Sequence, residues 1–189
     1  MHRLASFTLV PLLVALSALT SACRREPPPP PAPGATSATP AGDGELAVGS
    51  AAPALHATAH DGTVIDLAEL RGKRVVLYFY PKDETPGCTA EACAFRDAWT
   101  DLAKTGTVLV GLSSDSLESH RKFAEHHKLP FHLVSDESGS IAKSYGVPNR
   151  AGFFARQSFV IGKDGRIEKI YRSVDVSTHA RQILGDVSS

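Results

Sequence analysis

The run Val75-Val-Leu-Tyr-Phe-Tyr80 leads into Pro81-Lys-Asp-Glu-Thr-Pro-Gly-Cys88, and Thr89-Ala-Glu-Ala-Cys93 follows. The first six residues are β-branched, aliphatic or aromatic without a polar interruption. That pattern reads as a central strand, about Arg74–Tyr80, covered on both faces rather than lying half in solvent. Proline and glycine then enforce a turn. From Cys88 the period changes: Ala92, Phe95, Trp99 and Leu102 recur at three- and four-residue spacing, with Arg96, Asp97 and Asp101 between them, which predicts an amphipathic helix. A buried strand thus feeds a helix through a compact turn, with a cysteine at the helix start.

The same alternation extends in both directions. Towards the N-terminus, Leu55–Ala59 and Thr63–Leu67 flank His60-Asp-Gly62, a hairpin signal. Towards the C-terminus come a strand at Thr107–Leu112 and a helix over about Ser116–Lys128, with Asp115 and Glu118 spaced as a capping box. A strand at Phe131–Val134 and a short helix at Ser138–Tyr145, stopped by Gly146 and Pro148, follow. Gln157–Ile161 and Arg166–Tyr171 surround a second hairpin turn, Lys163-Asp-Gly165, and a helix at about Ser177–Leu184 closes the chain. These elements predict one layered α/β domain over 46–189, with helices on both faces of the sheet and no internal repeat.

The chain has 189 residues, 20 Lys+Arg against 20 Asp+Glu, 13 prolines and three cysteines. Two large domains do not fit that length. Zero net charge argues against nucleic acid as a partner, since phosphate binding relies on a cationic face. Three cysteines at 23, 88 and 93 are too few for a disulfide scaffold and lack the paired spacing of a structural zinc site. Residues 1–22 read as an export signal: Arg3, the apolar run Phe7–Leu19, then Thr20-Ser-Ala22. An uncleaved membrane anchor is the alternative, but the run is short for a bilayer. Cys23 follows the small residues as the lipid-bearing cysteine of a bacterial lipobox would, although Thr20 stands where leucine is usual. Conventional cleavage after Ala22 would instead leave a free thiol; lipidation is preferred, because an unpaired thiol is a liability in an oxidising compartment. Residues 23–45, with Pro27–Pro31, Pro33 and Pro40, read as an extended tether. Setting aside Arg3, Arg24, Arg25, Glu26, Asp43 and Glu45 leaves 46–189 still balanced in charge.

Chemistry concentrates in the turn. A cysteine in the first turn of a helix faces unpaired backbone N–H groups and the positive end of the macrodipole, both of which favour the thiolate nucleophile. Read from local physics alone, Cys88 is equally a small buried hydrophobe. Cys93 lies five residues on, about 7.5 Å along an intact helix and about 500° round it, so the pair cannot form a disulfide without unwinding. Either Cys93 packs inside the helix, or the two thiols form a switch. His120, His126, His127 and His132 are assigned to a polar helix face and the loop after it, with no metal-ligand spacing to organise them. Turn and helix-entry roles account for Asp61 with Asp66 and for Asp83 with Glu84.

The segment from Tyr78 to Cys93 resembles the peroxiredoxin signature Pro-x-x-x-Thr-x-x-Cys in its Q-type (bacterioferritin comigratory protein) form, in which many members carry a second cysteine five residues on. The resemblance continues through Gly111–Phe123, Leu129–Asp136, Tyr145–Val147 and Arg156–Gly165. It implies a thioredoxin-like fold, with Cys88 as peroxidatic cysteine and Cys93 as resolving cysteine. By the same resemblance the Thr85 hydroxyl bonds the peroxide, Pro81 shields the pocket and Arg156 is the cation set against the sulfur. Ser158 stands where threonine is common. The implied activity is reduction of hydrogen peroxide and organic hydroperoxides without metal or other cofactor, through a sulfenic acid resolved as an intramolecular disulfide and re-reduced by a thioredoxin-type dithiol. A monomer is expected, exported to the periplasm or tethered to a membrane of a bacterium, with membrane contact only through the N-terminal lipid or signal. Two other readings stay open: an extracytoplasmic thiol–disulfide oxidoreductase, whose usual CxxC spacing is not met, and a peroxide-sensing module.

Overall fold

The computed structural model describes residues 46–188. The signal and tether expected at 1–45, with Cys23, lie outside the described residues. In chain order the elements are β1 (His56–Thr58), β2 (Val64–Asp66), β3 (Val75–Phe79), α1 (Pro86–Asp97), α2 (Trp99–Lys104), β4 (Val108–Ser113), α3 (Leu117–His127), β5 (His132–Ser135), α4 (Ser140–Ser144), β6 (Asn149–Arg150), β7 (Phe153–Phe154), β8 (Gln157–Ile161), β9 (Ile167–Tyr171) and α5 (His179–Val187). Among the described residues no helix is long and apolar enough to cross a membrane.

Five strands form one sheet in the order β5-β4-β3-β8-β9. The β5, β4 and β3 strands run parallel, while β8 is antiparallel to both β3 and β9. The uninterrupted apolar run therefore occupies the central strand, and every residue of β3 is buried. Because side chains alternate along a strand, its two faces feed two cores. Val75, Leu77 and Phe79 pack with Leu55, Ile65, Tyr145, Phe154 and Phe159 beneath the N-terminal hairpin and α4. Val76, Tyr78 and Tyr80 pack with Cys88, Phe95, Phe123, Phe131 and Ile183, which come from α1, α3, α5 and the loop before β5. Opposite Tyr78 on β4 stands Gly111. A methyl group there would lie 2.6 Å from Tyr78 Cζ and 2.8 Å from Leu133 Cδ2, so the tyrosine ring occupies the space a side chain would take.

The structure departs from the sequence pattern at four places. The helix expected from Cys88 onward starts two residues earlier, at Pro86, and divides at Ala98 into α1 and α2. The apolar spacing Phe95–Trp99–Leu102 runs straight across that break, so periodicity does not register it. Helix α3 is capped by Ser116, whose hydroxyl accepts from the Ser119 amide, and not by Asp115. The Asp115 carboxylate is occupied by the Asp83 amide at 2.9 Å and the Ser113 hydroxyl at 2.8 Å. His120 does not sit on a polar face; it is fully buried, in step with Phe123 and Ala124. Finally, β6 and β7 form a small antiparallel hairpin that the sequence reading passed over, since two-residue strands are too short to show a period.

Candidate active site

The sheet register explains why residues far apart in sequence meet. Phe79 on β3 pairs with Gln157 on β8, so Arg156, one residue before β8, lies beside the end of β3 where the turn to α1 begins. Thr85 is the N-cap of α1 and Pro86 opens the helix, with proline's fixed φ suited to that position. Cys88 thus falls in the first turn. Pro86 has no N–H, and the amides of Gly87 and Cys88 are among those the helix leaves without intrahelical acceptors.

Cys88 is buried, 2% exposed, in the core between the sheet and α1. Arg156 Nη2 donates to its Sγ at 3.2 Å. The other arm of the same guanidinium, Nη1, donates to Glu91 Oε2 in a short ion pair. Glu91 is itself buried, and removal from water pushes its carboxyl up to about 7 against the opposing pull of Arg156. Glu91 Oε1 and the Tyr78 hydroxyl beside this cluster have no hydrogen-bond partner among the described residues. Burial, with the negative charges of Glu91 and Asp83 adding to it, holds the Tyr78 phenol far above its ordinary range, so that hydroxyl stays protonated.

The Thr85 hydroxyl donates to the Lys82 carbonyl at 3.0 Å and makes no cap bond to the helix. With its proton so directed, the oxygen's lone pairs remain to accept from a bound hydroxyl. Pro81, half-buried, follows the end of β3. Cys93 is half-buried on the same helix, and both thiols are free. The structure therefore brings together Cys88 and Arg156, places Thr85 and Pro81 in the turn before the thiol, and keeps Cys93 apart as an unbonded thiol.

Two groups escaped the sequence reading. Glu91 lies at i+3 from Cys88, and Cys88, Glu91, Ala92 and Phe95 are the buried residues of α1. An acidic residue within a buried stripe was the available signal. Asp83 lies in a turn, as expected, but it is 5% exposed and accepts from Tyr80 at 2.7 Å, Ser119 at 2.7 Å and His120 Nδ1 at 2.9 Å. Burial works against its charge, yet those hydrogen bonds hold its carboxyl below the ordinary range. Because His120 Nε2 faces the Val134 carbonyl at 3.3 Å, the turn before α1 is fastened to α3 and β5 through one buried network.

A family model described as AhpC/TSA matches residues 48–170. Peroxiredoxin Bcp of Bacillus subtilis is 41% identical over 153 residues, covering 76% of this chain and 98% of its own. Among solved structures, peroxidoxin BcpB of Mycobacterium tuberculosis superposes with a TM-score of 0.70 at 32% identity, covering 76% of this chain and 97% of that one. The bacterioferritin comigratory protein of Xanthomonas campestris, from a study of its alkyl peroxide reduction, superposes with a TM-score of 0.66 at 31% identity over 71% and 90% of the two chains. The thioredoxin-like α/β fold expected from the sequence, a central mixed sheet flanked by helices, is the one shared with these structures.

Proposed function

Since the chain belongs to the AhpC/TSA family and, within it, to the peroxiredoxin Q/BCP group, it is a peroxidase, and we propose that it works through Cys88 and Cys93 as an intramolecular two-cysteine cycle. The observation that carries this reading is the Arg156 guanidinium at 3.2 Å from Cys88 Sγ, held from behind by a buried carboxylate.

In the first step the Cys88 thiolate attacks one oxygen of the peroxide. An S–O bond forms, the O–O bond breaks, and the departing oxygen leaves as water or alcohol after taking a proton. The guanidinium offsets the negative charge that passes from sulfur to the leaving oxygen, and being permanently charged it needs no proton transfer of its own. Thr85 accepts the peroxide's hydrogen bond while its own proton is committed to Lys82, which orients the O–O bond along the line of attack. Pro81 covers the turn against water. In the second step the Cys93 thiol attacks the Cys88 sulfenic acid, an S–S bond forms and water leaves. Four helical residues separate the two cysteines, so the first turns of α1 must unwind. A thioredoxin-type dithiol then returns two electrons by exchange.

Steady-state assays with hydrogen peroxide and alkyl hydroperoxides test the cycle. Cys88→Ser abolishes turnover, and Cys93→Ser retains a single stoichiometric turnover. Equal multiple-turnover rates in Cys93→Ser and the parent would rule out the intramolecular disulfide. Negligible insulin reduction separates the enzyme from a general thiol–disulfide oxidoreductase, and sustained turnover separates it from a sensor.

We also propose, from the sequence pattern of 1–45, that this peroxidase domain is exported and held to a membrane through lipid on Cys23. The domain acts as a monomer at the end of its proline-rich tether. Intact-mass measurement of membrane-extracted protein tests this: an unmodified Cys23 excludes the lipid anchor.

A further inference from the structure

Glu84 lies four residues before the nucleophile, and His126 and His127 are the last two residues of α3. Some forty residues separate them in sequence, yet His126 Nδ1 is 3.1 Å from Glu84 Oε1 and His127 Nε2 is 3.0 Å from Glu84 Oε2. All three donor atoms lie within 4.8 Å of one another. The arrangement is built on fixed supports. Glu84 adopts a left-handed backbone, φ 58°, an uncommon conformation for a residue with a side chain. The His127 carbonyl accepts from Arg96 Nη1 at 3.0 Å, which ties the end of α3 to α1, and the His127 ring packs edge-on against Phe123 at 5.1 Å. Exposure runs from 16% at His127 through 49% at Glu84 to 69% at His126, so one side is held by protein and the other is open to solvent.

The chemistry of this donor set is specific. Two imidazole nitrogens and one carboxylate suit zinc, cobalt, nickel or copper, whereas calcium and magnesium call for an all-oxygen shell. In the metal-free cluster, protons on the two imidazoles bridge to the carboxylate; a metal ion takes the place of those protons and satisfies the same three atoms. The C-terminal end of α3 is the negative pole of its macrodipole, which adds a favourable field for a cation.

We propose that Glu84, His126 and His127 bind one divalent transition-metal ion of the zinc class, pinning the catalytic turn to the end of α3. The site stands beside the sulfur chemistry and does not depend on it: none of its ligands touches Cys88 or Arg156 among the contacts described. Three protein ligands leave room for water in the remaining position.

The test uses the full chain with all three cysteines replaced by serine, so that no thiolate competes for metal, and zinc alone as probe. Equilibrium dialysis is expected to show one zinc per chain, and saturating zinc to raise Tm by several degrees by mass action, whereas magnesium or calcium at equal concentration produces no shift. His126→Ala with His127→Ala in that background is expected to weaken zinc binding by more than about a hundredfold and to remove the Tm shift, and Glu84→Gln to weaken binding by about tenfold or more. Cobalt(II) added to the otherwise native chain should show d–d absorption of nitrogen and oxygen ligands that disappears in the double histidine variant. Metal-free peroxide turnover of that variant, carrying its natural cysteines, should equal the parent's, which verifies its fold. Undiminished zinc uptake without the two histidines, or no uptake by the cysteine-free chain, would overturn the proposal.

Discussion

The guanidinium of Arg156 faces two groups at once, the Cys88 sulfur at 3.2 Å and the Glu91 carboxylate in an ion pair, and the second of these responds to pH. Folding raises the Glu91 carboxyl from 4.5 to about 7, so the native state binds more protons than the unfolded chain across that interval. The contribution of this group to stability is consequently largest below the unfolded value and falls as pH rises from about 4.5 to about 7, by about 3 kcal/mol. Glu91→Gln removes the effect: measured by chemical denaturation, its stability relative to the parent rises between about pH 5 and about pH 8. A constant difference over that range would mean that Glu91 is not the titrating group. Replacing Arg156 with methionine leaves the transition-state charge uncompensated and should lower kcat/KM by on the order of a hundredfold or more while Cys88 remains in place. At this scale Cys88 and its turn were legible, because a proline-flanked cysteine after an apolar strand is a local signal. Glu91 was not, since an acidic side chain on a helix is ordinarily solvated and only the position of the sheet shows that this one is buried.

Helix α1 carries both thiols, and its integrity opposes its use in the proposed two-cysteine cycle. The helix holds Cys88 in its first turn against Arg156, but a continuous helix keeps Cys93 out of reach. Hydrogen exchange of the oxidised protein should therefore show lost amide protection confined to the N-terminal half of α1, about residues 86–93, relative to the reduced form. Protection equal in both forms would contradict an unwinding step. Cys93→Ser leaves the sulfenic acid without an internal partner, and mass spectrometry after excess peroxide should find sulfinic acid on Cys88 in that variant before it appears in the parent. In the sheet, Gly111→Ala forces a methyl group against Tyr78 and Leu133 and should cost about 1–3 kcal/mol, read as a fall in denaturation midpoint. Most strands and helices were legible from period alone. The break at Ala98 and the cap of α3 were not: a helix that bends can keep its apolar spacing, and either Asp115 or Ser116 is a competent cap until the Asp83 amide claims the aspartate.

On the scale of the whole molecule, residues 46–189 should fold and reduce peroxide without the first 45, because a core on each face of the sheet and the sulfur site are already built from the described residues. Expression of that segment with a rate of peroxide reduction close to that of the full chain is the expected result; an unfolded product would show that the N-terminal region contributes to the domain. The sequence by itself determined the class of fold, a cysteine at the start of the first long helix and a second cysteine five residues on, since strand and helix periods, turn residues and spacing along one helix are properties of neighbours in the chain. Tertiary structure alone decided what surrounds the first of these thiols. The pairing of β3 with β8 sets Arg156 beside Cys88 across 68 positions of sequence, burial converts Glu91 into a group that titrates near neutrality, and α3 delivers His120 to Asp83 and two further histidines to Glu84. Electrostatics acts through distance in space and through exclusion of water, and spacing along the chain encodes neither once the chain has turned back on itself.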